Sequence, residues 1–76
     1  MLLFGRLRDI AGWRERSFGT SSLLALKSLI ADQEPDLAAA LDGPGVQTAV
    51  DKVLVRGDVA LPDGVEVAFL PPMSGG

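Results

Sequence analysis

A chain of 76 residues that contains no cysteine must fold on an apolar core alone, because no disulfide restricts its unfolded state and no cysteine-held metal organises it. Folding at this length hides only about 60 to 65% of the surface the unfolded chain exposes, so that core is small. The material for it is present: 47% of the residues are hydrophobic and 22% charged, the balance of one globular domain rather than of a disordered segment. An enclosed active site with its own supporting shell has no room here.

Histidine is absent as well. Without the side chain best suited to proton transfer near neutral pH, and without a thiol, most catalytic constellations cannot be assembled. The serines and carboxylates that remain fall in no triad or metal-ligand spacing, so no stably bound cofactor and no metal are expected.

The net charge of −3 is unevenly spread. Through Arg16, four arginines (Arg6, Arg8, Arg14 and Arg16) are set against Asp9 and Glu15, whereas the remainder sets Lys27, Lys52 and Arg56 against eight carboxylates. This acidic balance lacks the basic face of a nucleic-acid binder, and the N-terminal arginines are either a solvated surface or a contact for an acidic partner. No run approaches the roughly 18 to 20 apolar residues of a membrane span. The opening "MLLFGRLRD" lacks the basic start and long apolar run of a signal peptide. A cytoplasmic domain that meets neither nucleic acid nor membrane is expected.

The segment 2–7 is a β-compatible run and a second lies at 14–18 beyond Gly12, which predicts an N-terminal hairpin with a long turn; the intervening "RDIAG" has the makings of a helical turn that Gly12 stops. Thr20, Ser21 and Ser22 are candidate N-caps, and Leu23, Leu26 and Ile30 then recur at helical spacing with Leu29 widening the stripe, predicting a helix over 22–32. Pro35 cannot continue that helix but suits the first turn of another, "PDLAAAL", ended by Asp42 and Gly43. Beyond "DGPG" the pattern turns to strands: "VQTAV" and "KVLV" meet in a tight turn at Asp51 and Lys52, "LPDG" is a further turn, and "VEVAFL" is the last strand. One main helix across one face of a mixed sheet is the economical packing of these elements. It describes an α+β, β-grasp domain over residues 1–70, although the same order fits other small α+β folds.

Alternation along a strand sends neighbouring side chains to opposite faces. Val65, Val67 and Phe69 are the natural core set of the last strand, which leaves Glu66, Ala68 and Leu70 facing away from the helix. Leu3 and Leu7 oppose Leu2, Phe4 and Arg6, and Leu54 opposes Val53 and Val55. Phe4, Leu54 and Leu70 therefore form a candidate exposed apolar group on the outer sheet face, either a docking surface or the harmless exposure that single apolar residues show.

Residues 71–76, "PPMSGG", read as an extended tail. Pro71 and Pro72 lack amide donors, end sheet pairing and are expected to point the chain away from the body. Met73 to Gly76 then reach at most about 14 Å, and Gly75 and Gly76, lacking Cβ, pass through a channel too narrow for other residues. A slim lead carrying a terminal carboxylate suits a partner's deep active site. A carboxylate is a poor acyl electrophile, but an acyl-adenylate is a good one because AMP leaves readily. The other reading of the same tail is a frayed terminus or leftover linker.

Taken together, "LLFGRLRDIAG" at the start and "AVDKVLVRGDVALPDGVEVAFLPPMSGG" at the end resemble the small subunits of molybdopterin synthases, a family of ubiquitin-like sulfur carriers; between these stretches the match is one of pattern only. "VAFLPP" with a terminal Gly-Gly is the specific part. The resemblance implies a ubiquitin-like β-grasp fold and a non-catalytic, sulfur-donating subunit whose catalytic residues lie in the synthase large subunit. It implies that an ATP-consuming adenylyltransferase similar to ubiquitin-activating enzymes adenylates the Gly76 carboxylate, that a persulfide sulfur donor converts it to a thiocarboxylate, and that the tail enters the large subunit. There its sulfur goes to cyclic pyranopterin monophosphate in molybdenum cofactor biosynthesis, two transfers building the dithiolene, in a heterotetramer with two large subunits.

Residue by residue, the donor terminus falls on Gly75 and Gly76, and the docking patch on Phe4, Leu54 and Leu70, the set that alternation selects. Arg8 matches an early arginine placed for a salt bridge to a partner, and Pro71, Pro72, Met73 and Ser74 make up the partner-binding tail. Asp51 stands where asparagine is common, Leu70 where a second phenylalanine is common, and Met73 where valine or isoleucine is usual, departures that bear on partner affinity rather than on the chemistry. The competing expectations are a sulfur carrier for thiazole, cysteine or transfer-RNA thiolation, a ubiquitin-like modifier joined to lysines through Gly76, and a plain interaction domain with an idle tail.

Overall fold

The computed structural model describes residues 1–72 and places β1 (Leu2–Leu3), α1 (Arg6–Ala11), α2 (Leu23–Gln33), α3 (Pro35–Leu41), β2 (Gln47–Val50), β3 (Val53–Val55) and β4 (Val67–Leu70) in chain order. The four strands form one sheet in the order β1-β4-β2-β3. β1 runs parallel to β4, and β2 is antiparallel to both β3 and β4. The sheet is therefore mixed, as the sequence leads one to expect.

Alternation decides which face the helices cover. Leu3, Phe69, Thr48 and Val55 are directly opposite one another across the four strands, so their side chains share a face. Leu3 and Phe69 lie in one buried cluster with Leu23, Leu26 and Ile30 of α2 and Leu37 and Leu41 of α3. This is the inner face. Val53 falls in the inner register through its pairing with Val50, yet it is 63% exposed, because β3 is the edge strand and the hairpin tip carries Val53 past the core.

The predicted helices form with their caps. Ser22 is the N-cap of α2, extended in backbone and accepting a hydrogen bond from the Ala25 N–H at 3.1 Å. Asp58 accepts from the Leu24 N–H at 2.8 Å, placing a second oxygen and a negative charge where the helix dipole is positive. A bridge between Ser22 and Ala60 ties the same helix end to the chain leading into "LPDG". Pro35 opens α3 at its first turn.

The N-terminal hairpin is where expectation and structure part. β1 ends at Leu3, Gly5 turns the chain at φ +55°, and Arg6–Ala11 is helical, so Leu7 reaches the core from α1 and not from a strand. The helical turn read in "RDIAG" thus starts two residues earlier and takes over the last two residues, Arg6 and Leu7, of the expected strand. Gly12 stops it as expected, in the left-handed conformation with its N–H donating to the Arg8 carbonyl. Of the expected second strand there remains one bridge, Leu2 to Glu15, flanked by Leu3 N–H to Arg14 O at 2.8 Å and Arg16 N–H to Met1 O at 3.1 Å. A single run of bonds held this close to the helix leaves no length for a ladder.

Candidate functional site

On the opposite face of the sheet, Leu2, Ala68, Ala49 and Leu54 form the matching cross-strand row. Three strand spacings put about 14 Å between its two ends. Ala49 and Ala68 are buried but lie outside the core cluster, making a low floor between the larger side chains. Leu54, at one end, is 59% exposed, and Phe4, just past Leu2 at the other, is 45% exposed. Leu70 shares the outer register one pair farther along β4, opposite Gln47, and is half-buried. The three residues selected by alternation thus border one shallow apolar surface. Ala49 completes its floor; only the β2–β3–β4 register, which the sequence alone does not fix, brings it there.

Arg8 is exposed on α1, and the ion pairs among the described residues, Arg16–Glu34 and Lys27–Asp42, do not involve it. Its guanidinium is open to solvent, on the element next to Phe4. Arg16 is engaged differently: it lies 4.6 Å over the Trp13 ring and pairs at 3.3 Å with Glu34, whose carboxylate also accepts from the Trp13 indole N–H. This second cluster was not read from the sequence, and it serves to fasten the loop after α1 to the α2–α3 junction.

Pro71 and Pro72 follow β4 directly but do not leave the body at once. Pro71 is half-buried and packs toward Gly5, and Pro72 lies against Gly45 in the loop between α3 and β2. The expectation that the prolines point the chain away is corrected to this extent: they end the pairing as foreseen, and both rings rest on glycines where no side chain stands in the way. Met73, Ser74, Gly75 and Gly76, the expected remainder of the tail and the reacting terminus, lie outside the described residues. The tail root nevertheless follows Leu70 directly at the end of β4, beside the Gly5 turn between β1 and α1, and so borders the outer face.

The model of the ThiS family matches residues 1–76. The chain belongs to the ThiS family. Its mixed sheet covered by helices on one face is accordingly the ubiquitin-like β-grasp fold of ThiS proteins. The chain is 36% identical over 78 residues to the molybdopterin synthase sulfur carrier subunit of Escherichia coli (strain K12), an alignment that takes in 100% of this chain and 96% of that protein. The likeness read at the two ends of the sequence therefore runs through the middle as well. Among the described residues, no helix is long and apolar enough to cross a membrane.

Proposed function

We propose that this ThiS-family chain is the sulfur carrier subunit of a molybdopterin synthase. The observation that carries the proposal is the full-length 36% identity with the molybdopterin synthase sulfur carrier subunit of Escherichia coli. Support also comes from the position of the tail root at the edge of an apolar sheet face. In this reading the outer face seats the synthase large subunit, Arg8 meets an acidic group on a partner, and residues 71–76 deliver the reacting terminus.

The chemistry resides in the Gly76 carboxylate. An adenylyltransferase joins it to the α-phosphate of ATP and pyrophosphate leaves. The terminal sulfur of a persulfide donor then bonds to the acyl carbon, and AMP departs with the electron pair of the broken C–O bond. A thiol cleaves the resulting S–S bond, itself ending in a disulfide, and a thiocarboxylate remains. In the large subunit this sulfur takes the place of an oxygen substituent on a side-chain carbon of cyclic pyranopterin monophosphate, the C–O bond breaking as the C–S bond forms and the oxygen leaving as water or with the phosphate. Water then cleaves the acyl–sulfur bond, the sulfur stays on the pterin, and the carboxylate is restored for another round. The thiocarboxylate is ionised and strongly nucleophilic at neutral pH, which suits a donor that has no catalytic side chains of its own.

The test is the intact mass of the chain after incubation with ATP, a persulfide donor and the activating enzyme. The expected result is a gain matching replacement of one oxygen by sulfur, lost on deletion of Gly76 with the fold unchanged, and loss of pterin conversion by the deleted form. Isopeptide-linked ladders would favour a modifier instead. A thiocarboxylate inactive toward the pterin precursor but active toward a thiazole, cysteine or transfer-RNA acceptor would keep the carrier and change its pathway.

A further inference from the structure

The two prolines at the root of the tail are held from two separate loops. A Cβ added at Gly5, between β1 and α1, would lie 3.0 Å from Cγ of Pro71, and one added at Gly45, between α3 and β2, would lie 2.6 Å from Cβ of Pro72. Real Cβ atoms essentially never come as close as the second distance, whereas the first is tight but tolerable if the Pro71 ring gives by a few tenths of an ångström. Both glycines also have positive φ, +55° and +81°, which turns each loop's backbone toward the tail without a side chain. Pro72 is exposed, so core packing does not explain its seat against Gly45.

We propose that Gly45 is a positioning residue: by seating Pro72, with Gly5 seating Pro71 as a second support, it sets the direction in which the tail leaves the body. The proposal rests on the sulfur-carrier reading and adds a residue to it. Proline fixes φ near about −65° and offers no N–H to pair, so two consecutive prolines with both rings seated leave few free torsions at the root. Direction matters because the reach is short. Four extended residues span about 14 Å, and a 20° error at their root moves the far end by about 5 Å. Reacting atoms must approach to about 3–3.5 Å. A root turned by a side chain at position 45 would leave the terminus short of its target even with the outer sheet face docked as before.

The experiment uses full-length carrier with a preformed C-terminal thiocarboxylate, which bypasses activation, mixed with saturating synthase large subunit and cyclic pyranopterin monophosphate in a single turnover. Gly45→Asn is the principal variant, because asparagine tolerates positive φ better than other side chains while still placing a Cβ against Pro72; Gly45→Ala is the second. The expected result is a fall of tenfold or more in the transfer rate constant, with the Kd for the large subunit changed less than threefold. In a Pro72→Gly background, where the opposing Cβ is gone, Gly45→Asn is expected to cost less than twofold. Backbone strain at position 45 is the same in both backgrounds, so an equal loss in both, or no loss in either, would overturn the proposal.

Failure of the carrier reading shows separately, as absence of transfer from the unsubstituted thiocarboxylate. The geometry then has its own readout, because the chain has no cysteine and a spin label at Ser74→Cys is unique. Gly45→Asn is expected to change the pattern of label-broadened amides on the body. An unchanged pattern would overturn the proposal whatever the function.

Discussion

Asp51 and Lys52 sit at the tip of the β2–β3 hairpin with φ of +52° and +70°. Two left-handed residues in succession are what a two-residue hairpin turn of the favoured hand requires, and the sequence supplies them without glycine. Aspartate tolerates the conformation through its short polar side chain, whereas lysine carries the full steric cost of about 1–2 kcal/mol. Lys52→Gly is therefore expected to stabilise the domain by about 0.5–1 kcal/mol after the extra entropy of glycine in the unfolded chain, read as a shifted midpoint in urea with an unchanged slope. Glu34 poses a second question at this scale, since its carboxylate serves both the Trp13 indole and Arg16. The arginine is half exposed, and such a pair contributes under about 1 kcal/mol. The part-buried indole N–H is the more demanding partner, costing about 1–3 kcal/mol if left unmade. Glu34→Gln, which keeps an oxygen acceptor, is thus expected to be nearly neutral, and Glu34→Ala to lose about 1–2 kcal/mol in the same unfolding measurement.

Among the elements, α2 and α3 were legible in the sequence because their signals are local: a serine at the cap, apolar residues at helical spacing, a proline at the first turn. The Ser22 side chain bonds the Ala25 N–H, and Ser22→Ala is expected to cost about 1 kcal/mol, with thermal unfolding as the check. Asp58, 34 residues away in sequence, bonds the Leu24 N–H at the same helix end; no local pattern announces that contact, which exists only once the 58–61 segment has returned across the start of α2. The first hairpin was misread for a related reason. Leu2 to Leu7 alternates as a strand does, but Gly5 breaks the run and Leu7 finds the core from a helical turn. Leu3 and Leu7 are both buried, and a spacing of four satisfies a strand and a helix alike. β2, β3 and β4 carried turn residues at their ends and were legible, as was the β2–β3 hairpin closed by Asp51 and Lys52; the pairing of β4 with β1 and β2 was not. The outer-face set of Phe4, Leu54 and Leu70 followed from alternation alone, while the seats for Pro71 and Pro72 depend on loops far apart in the chain.

For the molecule as a whole, one face of the sheet is packed under the helices and the other is open, and that difference separates tests of folding from tests of docking. Phe69, fully buried on the inner face, cannot be cut back to alanine without a loss of about 3–5 kcal/mol, so it is no probe of function. Phe4 and Leu54 border the outer face and are largely free of the core, which makes their contribution to folding small and any contribution to assembly large by contrast. Phe4→Asp and Leu54→Asp are expected to leave the thermal midpoint nearly unchanged and to weaken binding to a synthase large subunit at least tenfold, or about 1.4 kcal/mol, because docking would strip water from an unpaired carboxylate. Leu24 supplies the control. It is 62% exposed, as open as Leu54, but it lies on α2, which covers the opposite face of the sheet, so Leu24→Asp should bind as the unsubstituted chain does. Equal weakening by all three substitutions would point to a general effect of added negative charge on a chain that already carries −3, and calorimetry at two salt concentrations separates that effect from desolvation, since long-range repulsion is screened by salt and the cost of a buried carboxylate is screened much less. Loss confined to Phe4 and Leu54, and persisting at high salt, would assign docking to the outer face.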